Sequence, residues 1–99
     1  MADNRFTMKD VDKVLGYCSN IRSVNDLIFA LDWMAQNARH IESPVFNAYD
    51  AAVWYIATGR LSGSCVFAIK GNVRNVCKKL NRMAGCETEA IGDYLKSFG

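Results

Sequence analysis

Apolar residues recur at steps of three and four through much of this 99-residue chain, a spacing that stacks them on one face of an α-helix. The clearest stretch is 23–39, SVNDLIFALDWMAQNAR, whose main apolar stripe comprises Val24, Leu27, Ile28, Leu31, Met34, Ala35 and Ala38. Phe29 and Trp33 form a second apolar ridge beside that stripe. Because a helix that is apolar over most of its circumference is buried on more than one side, we expect this helix to lie between other helices.

Residues that start and stop helices define the first three helices. Thr7 and Ser23 are each followed three residues later by aspartate, a short version of the capping box that opens a helix. A third helix starts either at Ser43-Pro44 or at Asn47, since both sites carry residues suited to a helix N-terminus. Gly59 has the position of a left-handed stop after that helix.

The segment 61–69, LSGSCVFAI, is compatible with two structures. Residues 65–69 are apolar and follow Ser and Gly, as in a short buried strand. However, helical spacing continues to Gly85 through Val66, Ile69, Val73, Val76, Cys77, Leu80, Met83 and Ala84. We therefore predict a long fourth helix from about Ser64, with Gly71 as the place of a bend or of a tight crossing, and keep a short β segment at 65–69 as the alternative.

A last helix follows residue 87, because acidic residues 87 and 89 suit a first helical turn. Together the segments predict an all-α fold, a compact bundle of about five short helices in a single domain over residues 1–99. A chain of this length provides one core but not two. Its composition, 51% hydrophobic and 22% charged, is that of a globular domain.

The charges are unevenly distributed along the chain. Residues 1–50 carry five Lys or Arg and seven Asp or Glu, a net charge of −2, and residues 51–99 carry seven and three, a net charge of +4. The overall charge of +2 is too small to indicate a nucleic-acid partner by itself. The asymmetry can orient a partner or a second copy of the chain.

A basic stripe dominates the predicted fourth helix and comprises Lys70, Arg74, Lys78, Lys79 and Arg82. Residues four apart on a helix are separated by about 6 Å along its axis, close to the phosphate spacing of one nucleic-acid strand. The stripe therefore predicts binding to phosphates or to an acidic protein surface. The alternative is an ordinary solvated helix face.

Five aromatic residues lie off the main inward stripes, and they are Phe29, Trp33, Trp54, Tyr55 and Phe67. Aromatic side chains are frequent anchors of protein interfaces. We therefore predict that these five bind a protein partner. The alternative is that the second and third helices are central and bury them.

Residues that support catalysis or cofactor binding are scarce. His40 is the only histidine, and Cys18, Cys65, Cys77 and Cys86 contain no C-x-x-C pair. No glycine-rich phosphate loop is present. We expect no enzymatic activity, no cofactor and no metal site. The N-terminal segment lacks the apolar core of a signal peptide and no run has membrane-spanning length, so we expect a cytoplasmic protein without a membrane partner.

These observations favour a small non-catalytic binding protein that docks onto another protein, as an inhibitor or regulator of a larger complex. Two alternatives remain open. The chain is a nucleic-acid-binding protein that uses the basic stripe, or it is a structural homo-oligomer.

Overall fold

The computed structural model describes residues 8–17, 21–38 and 47–99. These residues form six helices, namely α1 (Met8–Tyr17), α2 (Val24–Ala38), α3 (Ala48–Ala57), α4 (Gly63–Gly71), α5 (Val73–Arg82) and α6 (Thr88–Lys96). The predicted all-α class is confirmed, with six helices in place of about five. Residues 65–69 belong to α4, so the alternative of a β segment there is wrong.

The start of α2 is the capping box that the sequence predicts. The Asp26 backbone N–H donates to Ser23 Oγ at 3.1 Å, and Asp26 Oδ2 accepts from the backbone N–H of Ser23 at 3.2 Å and of Arg22 at 3.1 Å. The backbone hydrogen bonds from Arg22 and Ser23 hold the pKa of the Asp26 carboxyl below its ordinary value. The similar start at Thr7 lies outside the described residues.

Asn47 caps α3 and also connects it to α2. Its Oδ1 accepts from the backbone N–H of Tyr49 at 3.0 Å and of Asp50 at 3.3 Å, while its Nδ2 donates to the Ala35 carbonyl oxygen at 2.8 Å. Of the two predicted starts, Asn47 is therefore an observed cap, and Ser43-Pro44 lies outside the described residues. The predicted stop is confirmed, because Gly59 has φ = 70°.

The predicted long fourth helix is wrong as a continuous helix, because Asn72 separates α4 from α5, although this break lies next to Gly71, where a bend was one of the predicted outcomes. The Asn72 backbone has φ = −129° and ψ = 26°, and its Nδ2 donates to the Ala68 carbonyl oxygen at 2.9 Å. This side chain closes α4 and makes no capping bond at the start of α5. Gly71 and Asn72 are both weak helix formers, and a side-chain amide that binds backbone competes with helix continuation.

The core lies around α2 and α3, which pack against each other along their length. The largest fully buried side chains come from every helix except α3. They are Val11, Leu27, Leu31, Met34, Ile69, Val76, Cys77, Leu80, Ile91 and Leu95. Half of the buried residues of α3 are small, namely Ala48, Ala51 and Ala52, and they let its neighbours approach closely. Val24, predicted for the inner stripe of α2, is exposed in the first turn.

A buried hydrogen bond joins α3 to α5. The Tyr49 hydroxyl donates to Asn81 Oδ1 at 2.8 Å and lies 3.2 Å from the Cys77 carbonyl oxygen. Burial raises the pKa of Tyr49 above its ordinary value and raises the pKa of the Cys77 thiol to about 12. Both groups are therefore neutral at physiological pH.

Candidate interaction surfaces

Four of the five predicted aromatic anchors are exposed. The exposed fraction is 74% for Phe67, 64% for Phe29, 44% for Trp54 and 41% for Trp33. Aromatic rings are frequent anchors of protein interfaces, so these four exposed rings are candidate contact groups.

Tyr55, the fifth predicted anchor, is buried and belongs to the core, with 8% of its surface exposed. Its ring packs against Gly92 at the crossing of α3 and α6, and the Lys96 ammonium lies 5.7 Å from the ring centroid. The missing side chain at Gly92 makes room for the ring. The sequence feature that could have indicated this close approach is the glycine inside the last predicted helix.

Phe29 and Trp33 lie on the solvent face of α2, opposite its buried stripe. They are four residues apart and therefore adjacent on one helix face. The same side of α2 carries a polar pair, since Gln36 Nε2 donates to Asp32 Oδ2 at 2.9 Å. An aromatic pair thus occupies a helix face that is polar in most surface helices.

Phe67 lies at the centre of the exposed face of α4, between the small residues Gly63, Ser64 and Gly71. The Lys70 ammonium lies 5.5 Å from the centroid of the Phe67 ring and also donates a hydrogen bond to the Arg22 carbonyl oxygen, just before α2 begins.

Lys70 connects the exposed face of α4 to the backbone just before α2. Its charge also acts on Asp26, which lies one turn before Phe29 on the same side of α2. We refer to Phe29, Trp33 and Phe67 as the aromatic surface.

Trp54 lines a separate open pocket of about 430 Å³ together with Asp50, Ala51 and Thr88. The Arg60 guanidinium lies 4.8 Å from the centroid of the Trp54 ring, a distance at which a cation and an aromatic face attract each other. The sequence does not predict this pocket, because Asp50 and Thr88 are far apart along the chain.

The predicted basic stripe is divided between two helices, and some of its cations already contact other groups of the protein. Lys70 belongs to α4, whereas Arg74, Lys78, Lys79 and Arg82 belong to α5. Arg74 forms a two-point ion pair with Asp12 of α1, with Nε 2.7 Å from Oδ1 and Nη2 3.3 Å from Oδ2. The hydrogen bond from Arg74 holds the pKa of the Asp12 carboxyl below its ordinary value.

Four cations of the predicted stripe project from the outer face of α5, and Arg74 is one of them. All five residues of this face are exposed, and they are Arg74, Asn75, Lys78, Lys79 and Arg82. The Lys79 ammonium lies 5.9 Å from the centroid of the Tyr94 ring on α6. We refer to these five residues as the α5 outer face, which carries four cations and no anion.

The cysteines within the described ranges are free thiols. Cys65 and Cys77 are buried and Cys86 is half-buried. No group of three or more His, Cys, Asp or Glu in residues 8–17, 21–38 and 47–99 could hold a metal ion. Cys18 and His40 lie outside the described residues.

Comparison of the chain with protein-family models, with curated proteins and with solved structures gave no match. In the part of the chain that the structure describes, no helix combines the length and the apolar character needed to cross a membrane.

Proposed function

We propose that this chain is a non-catalytic binding protein that docks onto another protein through the aromatic surface. The observation that carries the proposal is the exposure of Phe29 and Phe67 at the centres of the solvent faces of α2 and α4. The Lys70 ammonium lies beside the Phe67 ring and binds the Arg22 carbonyl oxygen just before α2, so it supplies a cation next to Phe67.

The exposed phenyl groups favour a protein as the occupant. Burying one Phe side chain in an interface contributes about 1.5–3 kcal/mol, and aromatic residues at the centre of an interface are frequent hot spots. An adjoining charged side chain suits the rim, where polar groups confer specificity. In biological terms, we propose that the protein acts as an inhibitor or regulator by covering a surface of a larger complex in the cytoplasm.

Serine substitutions test the proposal without disturbing the helices, because Ser and Phe have similar helix propensities. We expect Phe29→Ser and Phe67→Ser to reduce capture of a native partner from nuclease-treated lysate by about tenfold or more each, equivalent to about 1.4 kcal/mol. Phe67→Leu keeps the apolar area and should retain capture. Thermal unfolding of the three variants should match that of the parent.

Two results would contradict the proposal. Capture that is unchanged by both serine substitutions would show that the aromatic surface does not bind. A concentration-dependent dimer in sedimentation equilibrium that Phe67→Ser abolishes would identify a second copy of this chain as the occupant instead of another protein.

A further inference from the structure

The α5 outer face is the most strongly charged surface among the described residues. Its four cations lie within nine residues, and Arg74 and Arg82 are about 12 Å apart along the helix axis. Lys78 and Arg82 form no ion pair within the part of the chain that the structure describes. The buried face of the same helix is held by Val76, Cys77 and Leu80, so the cations are presented on a fixed rod.

Arg74 forms an ion pair with a carboxylate of a neighbouring helix. Its guanidinium binds both carboxylate oxygens of Asp12, and Asp12 projects from α1, which packs beside α5. A carboxylate carried by an adjacent helix therefore reaches the row in a two-point geometry. Lys78 and Arg82 continue the row by one and two turns.

We propose that the α5 outer face binds an acidic α-helix of the partner protein, one that carries carboxylates at four-residue steps. Arg74, Lys78 and Arg82 form an i, i+4, i+8 ridge, and a ridge of the same step on a second helix winds at the same rate. Carboxylates on that ridge are about 6 Å apart and match Lys78 and Arg82, whereas Arg74 keeps its ion pair with Asp12. The inference rests on the proposed function, because it names the partner's chemistry.

The distribution of aromatic side chains favours this occupant over a nucleic acid. Proteins that bind single strands combine a basic track with aromatic side chains on which bases stack. Here the exposed aromatic residues Phe29, Trp33, Trp54 and Phe67 lie on α2, α3 and α4, and the α5 outer face contributes none. The Tyr94 ring, 5.9 Å from the Lys79 ammonium, is half-buried and provides no track on which successive bases stack. Only Asn75 adds a neutral hydrogen-bonding group to the row.

A peptide titration tests the proposal directly. The probe is an alanine-based helical peptide of about 17 residues with Glu at every fourth position, and its control has the same composition with Glu spread around the helix. We expect the first peptide to shift amide resonances of residues 74–82 and to bind several-fold more tightly than the control. Lys78→Gln/Arg82→Gln should weaken binding about threefold or more, since exposed ion pairs are individually weak.

Matched variants separate this proposal from the preceding one. Lys13→Gln/Lys96→Gln removes two exposed cations from α1 and α6 and should leave peptide binding unchanged. Phe67→Ser should also leave peptide binding unchanged, although we expect it to reduce partner capture. Failure of the peptide to bind the parent protein, with capture still dependent on Phe67, would overturn this inference alone.

Two further results would also overturn it. Equal affinity for both peptides would show that only the number of charges matters. Tighter binding of a single-stranded oligonucleotide of the same charge, with shifts over the same α5 resonances, would assign the face to nucleic acid.

Discussion

The Cα atom of Gly92 lies directly against the ring of Tyr55, so closely that a Cβ atom at position 92 would overlap the phenol. Both residues are buried. This contact sets how closely α6 approaches α3, and it explains why Tyr55 points into the core.

We expect Gly92→Ala to destabilise the protein by about 1–3 kcal/mol, as overpacking does, although alanine is the better helix former. The measurement is urea unfolding followed by circular dichroism. Gly16→Ala is the control, because a Cβ there meets nothing within 4 Å and should be neutral or stabilising. Equal stability of Gly92→Ala and the parent would contradict the close packing.

Tyr49→Phe removes the hydroxyl that bonds Asn81 Oδ1 across α3 and α5. Because the bond is buried, we expect a loss of about 1–3 kcal/mol in the free energy of unfolding. Tyr94→Phe serves as the comparison, since Tyr94 is half-buried and should change stability by less than about 0.5 kcal/mol. A smaller loss for Tyr49→Phe than for Tyr94→Phe would argue against the bridging role.

Asp26 predicts an acid-dependent loss of stability. Its pKa is lower in the folded state than its unfolded value of about 3.9. A carboxyl of this kind stabilises the fold above the unfolded pKa, and the contribution is lost as pH falls through the folded pKa. The difference in unfolding free energy between the parent and Asp26→Asn should therefore be larger at pH 7 than at pH 3. The same difference at both pH values would contradict the assignment.

Thiol reactivity should follow burial. Cys77 is fully buried and its pKa is about 12, so alkylation at pH 8 requires unfolding. Cys86 is half-buried and should react first among the three described cysteines. Mass spectrometry of peptides after brief iodoacetamide treatment, with and without urea, gives the order. Modification of Cys77 in the native protein as fast as that of Cys86 would show that the core opens readily.

Local signals in the sequence predicted much of the fold. The stripe of α2 is buried at Leu27, Leu31 and Met34, and the caps at Ser23 and Asn47 form the expected hydrogen bonds. These features depend on residues within one helical turn of each other, so a single sequence contains the information.

Features that depend on distant residues were not predictable in the same way. Tyr55 turns inward because Gly92, 37 residues later, leaves room for it. Arg74 is engaged by Asp12, which is 62 residues away. Gly71 indicates a bend at this place, but the apolar steps do not show that the helix ends there, because one non-helical residue leaves the steps on either side almost in phase.

Two side-chain contacts of α5 respond differently to salt. One end is attached through the exposed Arg74–Asp12 ion pair, and the other through the enclosed Tyr49–Asn81 hydrogen bond. Salt weakens the first attachment and leaves the second largely intact. A rise in ionic strength therefore frees the Arg74 side chain first, while Val76, Cys77 and Leu80 keep α5 packed against the core.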